Sequence, residues 1–493
     1  MKRKSMTPRI LFILTPYHEL DKGDAVFAGF VIPLLYNAAA VKNQGAQARI
    51  VDMTAMGIDT KGLLDIIAAY RPDVVSVSCI SYCRFPAIDL IKKIRASNPC
   101  LSIIGDGLHF AFTADDALEK VTDLDAAVTG LSDKVYRDLV ETIRSGNDIE
   151  NIPGLLTRSS RLQQVLSKKD LAMDGSPPDH ELVSEGRYAN RLMLSDIPAH
   201  VIKGSFGCPF NCVFCCWAPC TFRTRDVESI VDEMEYIRKT KGISAFAIFD
   251  ATFTAIPKRI TEFCSMVLRR DMKISWSCES RVDIDSSILS LMREAGCFSL
   301  SFGVESGSPR VLKAIDKKIM PEQVVEFSKA CDKEGIKTSG LFMYSLPDET
   351  RADLDMTITL IKEVLKYSQS VAANLTVIYP GTQLEKIAKA RGIISHDFSW
   401  NTPYYCEESK KLGIYPEMPV YRERFSLHEL EMIRSEMGTF WLFTDDQFSI
   451  KKASSLFLKE LMKDGISYDF IKKTATALKV FMQNWRTIYG KKI

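Results

Sequence analysis

An excess of charge of one sign is missing from this sequence: 64 Lys and Arg stand against 62 Asp and Glu, giving a net charge of +2 over 493 residues. Mixed along the chain, that balance leaves no electrostatic footprint for nucleic acid or an anionic membrane, and small-molecule partners are expected instead. Long apolar runs are missing as well. The basic opening from Met1 to Lys4 is followed only by the short run Ile10 to Leu14 before polar residues resume. Neither a secretory signal nor a membrane span is expected from it. An evenly spread set of cysteine pairs is also lacking: the thirteen cysteines are clustered, which fits reduced thiols in a cytoplasm and turns attention to metal ligation.

What is present is a repeated alternation of short apolar runs with helical patterns. Residues 1–145 contain "ILFIL", "ARIVDM", "DVVSVSCIS" and "LSIIGDG" separated by helical stretches, the pattern of a doubly wound, Rossmann-like α/β domain. Residues 146–196 are richer in Ser, Pro, Asp and Gly and read as an irregular linker. In residues 197–392 the alternation resumes with six strand candidates: "HVIKGSF", "SAFAIFD", "KISWSCES", "CFSLSFGVES", "TSGLFMYSL" and "VAANLTVIY". Six β/α units in a row predict an open sheet or a partial (β/α)6 barrel. After the first strand, Val227, Ile230, Val231, Met234 and Ile237 fall on one face of a predicted helix. Residues 393–493 turn mostly helical and read as a C-terminal helical domain. Its aromatics Trp400, Tyr404, Tyr405, Trp441 and Phe443 are read as core, with a substrate wall as the alternative.

Five cysteines crowd into the seventeen residues "GSFGCPFNCVFCCWAPC", Gly204 to Cys220. Cys208, Cys212 and Cys215 are spaced C-x3-C-x2-C on the loop after the first strand of the six-unit domain. Three thiolates on a short loop suit a soft iron-sulfur cluster, whereas structural zinc asks for a fourth ligand in a comparable pattern. Cys216 and Cys220 are read as small packed hydrophobes rather than ligands. Cys278 is read the same way, although its place in the third strand would also let it face a site.

That spacing, with aromatic Phe214 before the last cysteine, resembles the signature of radical S-adenosylmethionine (SAM) enzymes. The resemblance implies a [4Fe-4S] cluster whose fourth iron is left open to the amino and carboxylate groups of SAM, and a 5′-deoxyadenosyl radical from SAM cleavage. Other segments match in the same order. "FAIFDATFT" resembles the segment that meets the SAM amino group and puts Asp250 near it. "SWSCESRVD" offers Ser280 and Arg281, with Arg281 a partner for the SAM carboxylate. In "FGVESGS", Glu305 resembles the acidic residue that bonds the ribose hydroxyls, while Gly303, Ser306 and Gly307 would permit close backbone approach. "SLPDET" and "IYPGTQL" resemble the G-x-P-G-E-T and P-G-T segments, with Ser345 and Asp348 replacing glycines of the former.

The N-terminal alternation is similar to the cobalamin-binding domain that precedes the radical SAM domain in one large subgroup, and the chain resembles its class B type methyltransferases. It implies cobalamin, with Ser78, "GDG" (Gly105 and Gly107) and Gly130 around the cofactor's nucleotide tail, and "SPPDHELVSEGRY" as the following linker. The D-x-H-x-x-G motif that supplies an axial histidine elsewhere is absent. "PYHELDKG" has only His18, at the wrong spacing to Gly23, so cobalamin without a histidine ligand and an empty domain both stay open. His109 is read as a loop hydrogen-bonder. Together the resemblances imply hydrogen abstraction from an unactivated carbon followed by cobalamin-dependent methyl transfer. The alternatives are radical cyclisation, ring contraction or oxidation of a natural product, lipid or tetrapyrrole, and a non-catalytic cluster-bearing binding or sensor protein. A small-molecule substrate, an electron donor such as flavodoxin and a cytoplasmic location complete the expectation.

Overall fold

The computed structural model describes residues 7–16, 28–129, 132–160, 178–183, 188 and 190–441. His18, Gly23, Gly130 and Phe443 lie outside the described residues, as do the Trp441 side chain and parts of the 176–188 segment.

Two sheets organise the chain. The first contains β1 (Arg9–Leu14), β2 (Gln47–Asp52), β3 (Val74–Ser78), β4 (Ser102–Asp106), β5 (Ala126–Val128) and β6 (Leu155–Thr157), in the spatial order β2-β1-β3-β4-β5-β6. Strands β1 to β5 are parallel, and β6 is antiparallel at the edge. The order reverses between β1 and β3, so the connections leaving their paired carboxyl ends run in opposite directions and leave a crevice, as doubly wound sheets do. Strand β6 falls in the stretch whose composition suggests a linker. Three residues after Pro153 and Gly154 are too short for an alternation to register.

The second sheet contains β7 (His200–Ile202), β10 (Ala245–Ile248), β11 (Ser275–Ser280), β12 (Cys297–Glu305), β13 (Lys337–Tyr344) and β14 (Ser370–Leu375). All six are parallel and neighbours in space follow chain order, which is the open (β/α)6 barrel the sequence predicts. Between β7 and β10 a two-stranded hairpin, β8 (Ser205–Phe206) with β9 (Arg223–Thr224), forms a stem. The helix Val227–Lys241 shows how local signals set an element. Asp226 caps it by accepting from the Ser229 N–H at 3.2 Å, Gly242 ends it at φ +68°, and the predicted face from Val227 to Ile237 is buried.

Ion pairs and hydrogen bonds lock the two sheets together. Arg225 donates to the Tyr36 hydroxyl at 2.8 Å and to Glu233 at 2.5 Å, and Glu233 also holds His180 at 2.7 Å. Arg223 pairs with Asp133 at 2.9 Å. Arg84, fully buried, donates to the Trp400 carbonyl at 2.8 Å and to the Glu417 carbonyl, tying the first domain to the segment after the barrel. The described part of that segment contains the helices Glu407–Lys411 and Leu427–Trp441. Among the described residues no helix is long and apolar enough to cross a membrane.

Candidate active site

The hairpin stem closes the loop 207–222, which carries all five clustered cysteines. Gly207 at its entrance has φ +68°, and a Cβ there would overlap the Thr221 carbonyl, so the stem requires glycine. Asp250, just beyond β10, clamps the strand that leads in: it accepts from the Gly204 N–H at 2.7 Å and from the Ser205 hydroxyl at 2.6 Å. Within the loop, the N–H groups of Cys215, Ala218 and Cys220 bond the carbonyls of Cys212, Cys215 and Trp217 in successive turns. Val213 fastens the loop to the barrel, donating to the Ile315 carbonyl at 3.0 Å and accepting from the Leu384 N–H at 2.9 Å. Phe214 packs against the barrel core beside it.

Cys208, Cys212 and Cys215 are partly exposed and lie near one another. Burial raises the Cys212 thiol, Lys317 and Arg281 draw it down, and Glu305 and Cys208 press it up. Cys215 is pushed up to about 12, by burial first and then by Cys216, Cys212 and Cys208. The expected SAM residues from β11 and β12 therefore surround the same loop. Arg281 lies 4.0 Å from the Phe210 ring centroid, bonds Asp283 at 2.9 and 3.0 Å, and donates to the Lys317 carbonyl at 3.2 Å. Glu305, at φ +72°, forms a buried ion pair of 2.7 Å with Lys317. A Cβ on Gly303 would come within 2.5 Å of Glu305 and 2.6 Å of Lys317, so this glycine makes room for the ion pair.

Other predicted positions sit farther inside. Ser280 shares a 3.0 Å hydrogen bond with Thr254 and donates to the Arg281 carbonyl at 2.9 Å. Ser306 is fully buried, 3.2 Å from the Thr357 hydroxyl and accepting from the Ser308 N–H at 3.1 Å. A Cβ on Gly307 would meet the Met356 carbonyl at 2.5 Å. Cys278 is buried in the barrel core.

At the crevice of the first sheet lies a cavity of about 300 Å³. One wall comes from the carboxyl ends of β1, β3, β4 and β5, including Thr15, Ser78, Asp106 and Thr129; the other comes from the cysteine loop and its stem, including Phe206, Trp217 and Cys220. Gly107 lines it at φ +83°, where a Cβ would fall 2.6 Å from the Cys79 carbonyl and 2.8 Å from the Ser78 hydroxyl. Gly105 serves packing, since a Cβ there would strike the Phe110 ring at 2.7 Å. The "GDGLH" segment joins the end of β4 to the start of the helix Gly107–Lys120, which Asp106 caps. His109 accordingly sits on a helix, with its ring nitrogens at 3.3 Å from the Ser81 hydroxyl and 3.1 Å from Asn401. Burial and then Arg84 draw it down to about 3, so it is a neutral ring with both nitrogens occupied.

Residues 202–361 match the Radical SAM superfamily. The chain carries a radical SAM domain. It is 28% identical over 394 residues to an uncharacterized methyltransferase of Pyrococcus horikoshii, covering 78% of this chain and 84% of that one. It is 26% identical to the anaerobic magnesium-protoporphyrin IX monomethyl ester cyclase of Rubrivivax gelatinosus, over 72% of this chain and 66% of the cyclase. In fold it is similar to the radical SAM methyltransferase TsrM from Kitasatospora setae, solved with cobalamin and a [4Fe-4S] cluster bound. The TM-score is 0.66 at 16% identity, over 97% of this chain and all of that one.

The donor set of the radical SAM domain fits a cluster better than a single ion. Among the described residues no three His, Cys, Asp or Glu side chains converge on one ion. A four-iron cluster instead takes one thiolate per iron, and three neighbouring thiols on a loop held at both ends answer that need. Sequence reasoning missed Lys317, which sets the Glu305 carboxylate, and the pair Tyr82 and Tyr379, whose hydroxyls hydrogen-bond across the domain boundary. A single lysine among 64 basic residues, or tyrosines 297 positions apart, carries no spacing signal.

Proposed function

We propose that this chain is a cobalamin-dependent radical SAM C-methyltransferase acting on a small molecule. The observation that carries the reading is the cavity shared between the carboxyl ends of the first sheet and the cysteine loop of the barrel. A corrinoid in that cavity would stand directly against the cluster loop. When bound, the cluster with SAM supplies a 5′-deoxyadenosyl radical and the corrinoid supplies a methyl group.

Cys208, Cys212 and Cys215 hold the cluster in this reading. Arg281 and the Glu305–Lys317 pair bind and orient SAM beside it, and Asp250 fixes the approach of the loop. Phe214 backs the loop, and Ser280, Gly303 and Ser306 shape the backbone around SAM. Ser78 and Gly107 form the cofactor slot, with Gly105 packing behind it and Gly130 assigned by resemblance. With His109 occupied, no described histidine is left for the cobalt in that slot. An electron donor such as flavodoxin and a cytoplasmic location belong to the same reading, as does the division at residues 145, 196 and 392.

The test is anaerobic turnover of reconstituted protein with SAM and a strong reductant, with and without cobalamin. 5′-Deoxyadenosine together with cobalamin-dependent S-adenosylhomocysteine is the expected result. Deoxyadenosine without any S-adenosylhomocysteine would favour the second reading, a cyclisation or oxidation, which the likeness to the Rubrivivax cyclase supports.

A further inference from the structure

Lys203 follows β7 and is 3% exposed, yet it lines the interdomain cavity. Its Nζ lies 5.4 Å from the Phe206 ring centroid, 5.1 Å from Trp217 and 4.9 Å from Phe249. An ammonium has three N–H groups, and one is given to the Phe249 carbonyl. Among the described residues no carboxylate hydrogen-bonds it; the nearby Asp250 accepts from Gly204 and Ser205 instead. Burial draws the Lys203 amine below its ordinary value, while Asp250 and then Cys220 work the other way. Three aromatic faces attract a cation but offer it no oxygen. A buried ammonium with spare donors is costly unless a ligand completes its shell, and the face open to it is the cavity.

We infer that Lys203 binds the cofactor, giving its free N–H groups to a carbonyl oxygen of an amide side chain on the rim of the corrin ring. This rests on the cobalamin reading. Position selects the ring over the nucleotide tail. Lys203 stands on the barrel side of the cavity, with the cysteine loop, whereas the narrow slot of Ser78 and Gly107 is on the opposite wall. An ammonium there anchors the ring edge that faces the cluster loop and fixes its distance from the reacting centre.

The experiment titrates the full chain, with its cluster reconstituted anaerobically, with hydroxocobalamin and separately with cobinamide, which keeps the amidated ring and lacks the nucleotide tail. Lys203→Met keeps the length and packing in the aromatic cage and removes charge and donors. It is expected to weaken both corrinoids by roughly tenfold or more, the scale of a lost hydrogen bond from a charged group, with iron content unchanged. Unchanged affinity for both overturns the inference. A loss confined to cobalamin overturns the ring-amide contact and moves it to the phosphodiester of the tail. Lys203→Leu, which also lacks charge and donors, gives the same readout should the methionine variant fold poorly. Wild-type protein that binds neither corrinoid overturns the cobalamin reading itself, a different failure from one seen only in the variants.

Discussion

Five thiols on one loop divide by what each one faces. Cys208 and Cys212 both lie close enough to Cys215 to raise its thiol, and Cys212 also sits among Lys317, Glu305 and Arg281. Cys216 lies near Tyr82 and Tyr379: burial chiefly raises both hydroxyls, Cys216 adds to each, and Cys215 adds to that of Tyr379. Cys220 donates to the Cys216 carbonyl at 3.5 Å and lines the interdomain cavity. Alanine at 208, 212 or 215 is therefore expected to abolish the iron-sulfur absorbance and SAM cleavage, whereas Cys216→Ala retains both. Iron loss in the Cys216 variant would mean that the ligands were assigned wrongly. The three ligand candidates were legible because cluster chemistry imposes a fixed spacing on neighbouring residues. Lys203 and Lys317 were not, because their meaning lies in partners brought close by folding. Asp250 was legible as a site residue, but its observed bonds hold the loop entrance.

At the scale of elements, glycines at two turns decide whether a cavity and a loop can exist. Gly107 opens the helix after β4 at φ +83°, and a side chain there would press on the Cys79 carbonyl and the Ser78 hydroxyl. Gly107→Ala should cost about 1–3 kcal/mol from backbone strain and reduce corrinoid binding at least about tenfold. Iron content and deoxyadenosine formation should remain, since the cluster loop hangs from a different stem. Thermal unfolding and corrinoid titration read the two effects separately, and wild-type affinity in the variant would remove this turn from the site. The parallel strands could be read from sequence because strands buried on both faces become short apolar blocks. The edge strand Leu155–Thr157 and the two-residue strands of the loop stem could not, being shorter than any period that marks them.

For the whole molecule, the proposed function requires that the two sheets keep one relative position, because the cavity has a wall on each. A buried chain of groups enforces it: Tyr36 of the first domain, Arg225 and Glu233 of the barrel, then His180 and His200 at 3.2 Å from each other. None of this was visible in the sequence, where opposite charges are evenly mixed and nothing marks which ones will meet. Burial pushes the Glu233 carboxyl up, but the Arg225 charge with the His180 contact outweighs it and holds the group below its ordinary value. A carboxyl depressed in the folded state contributes stability that is complete above its unfolded pKa and is lost as pH falls through the depressed one. Burial and then His180 draw His200 down to about 3, so it adds a second loss that begins below the ordinary histidine pKa, as the unfolded chain takes up a proton that the folded ring does not. Glu233→Gln leaves Arg225 buried without its counter-ion and is expected to cost about 3–5 kcal/mol. The variant should also lose the part of the pH dependence below the ordinary carboxylate range that Glu233 contributes, while the part due to His200 stays. Denaturant unfolding of both proteins at neutral pH and at about pH 3, below the ordinary carboxylate range, measures both quantities. Equal stability at neutral pH would mean that the sheets are held by apolar contact and the charge chain is incidental. A stability loss that closes as the pH falls would mean that the Glu233 carboxylate, through Arg225 and Tyr36, holds the two sheets together.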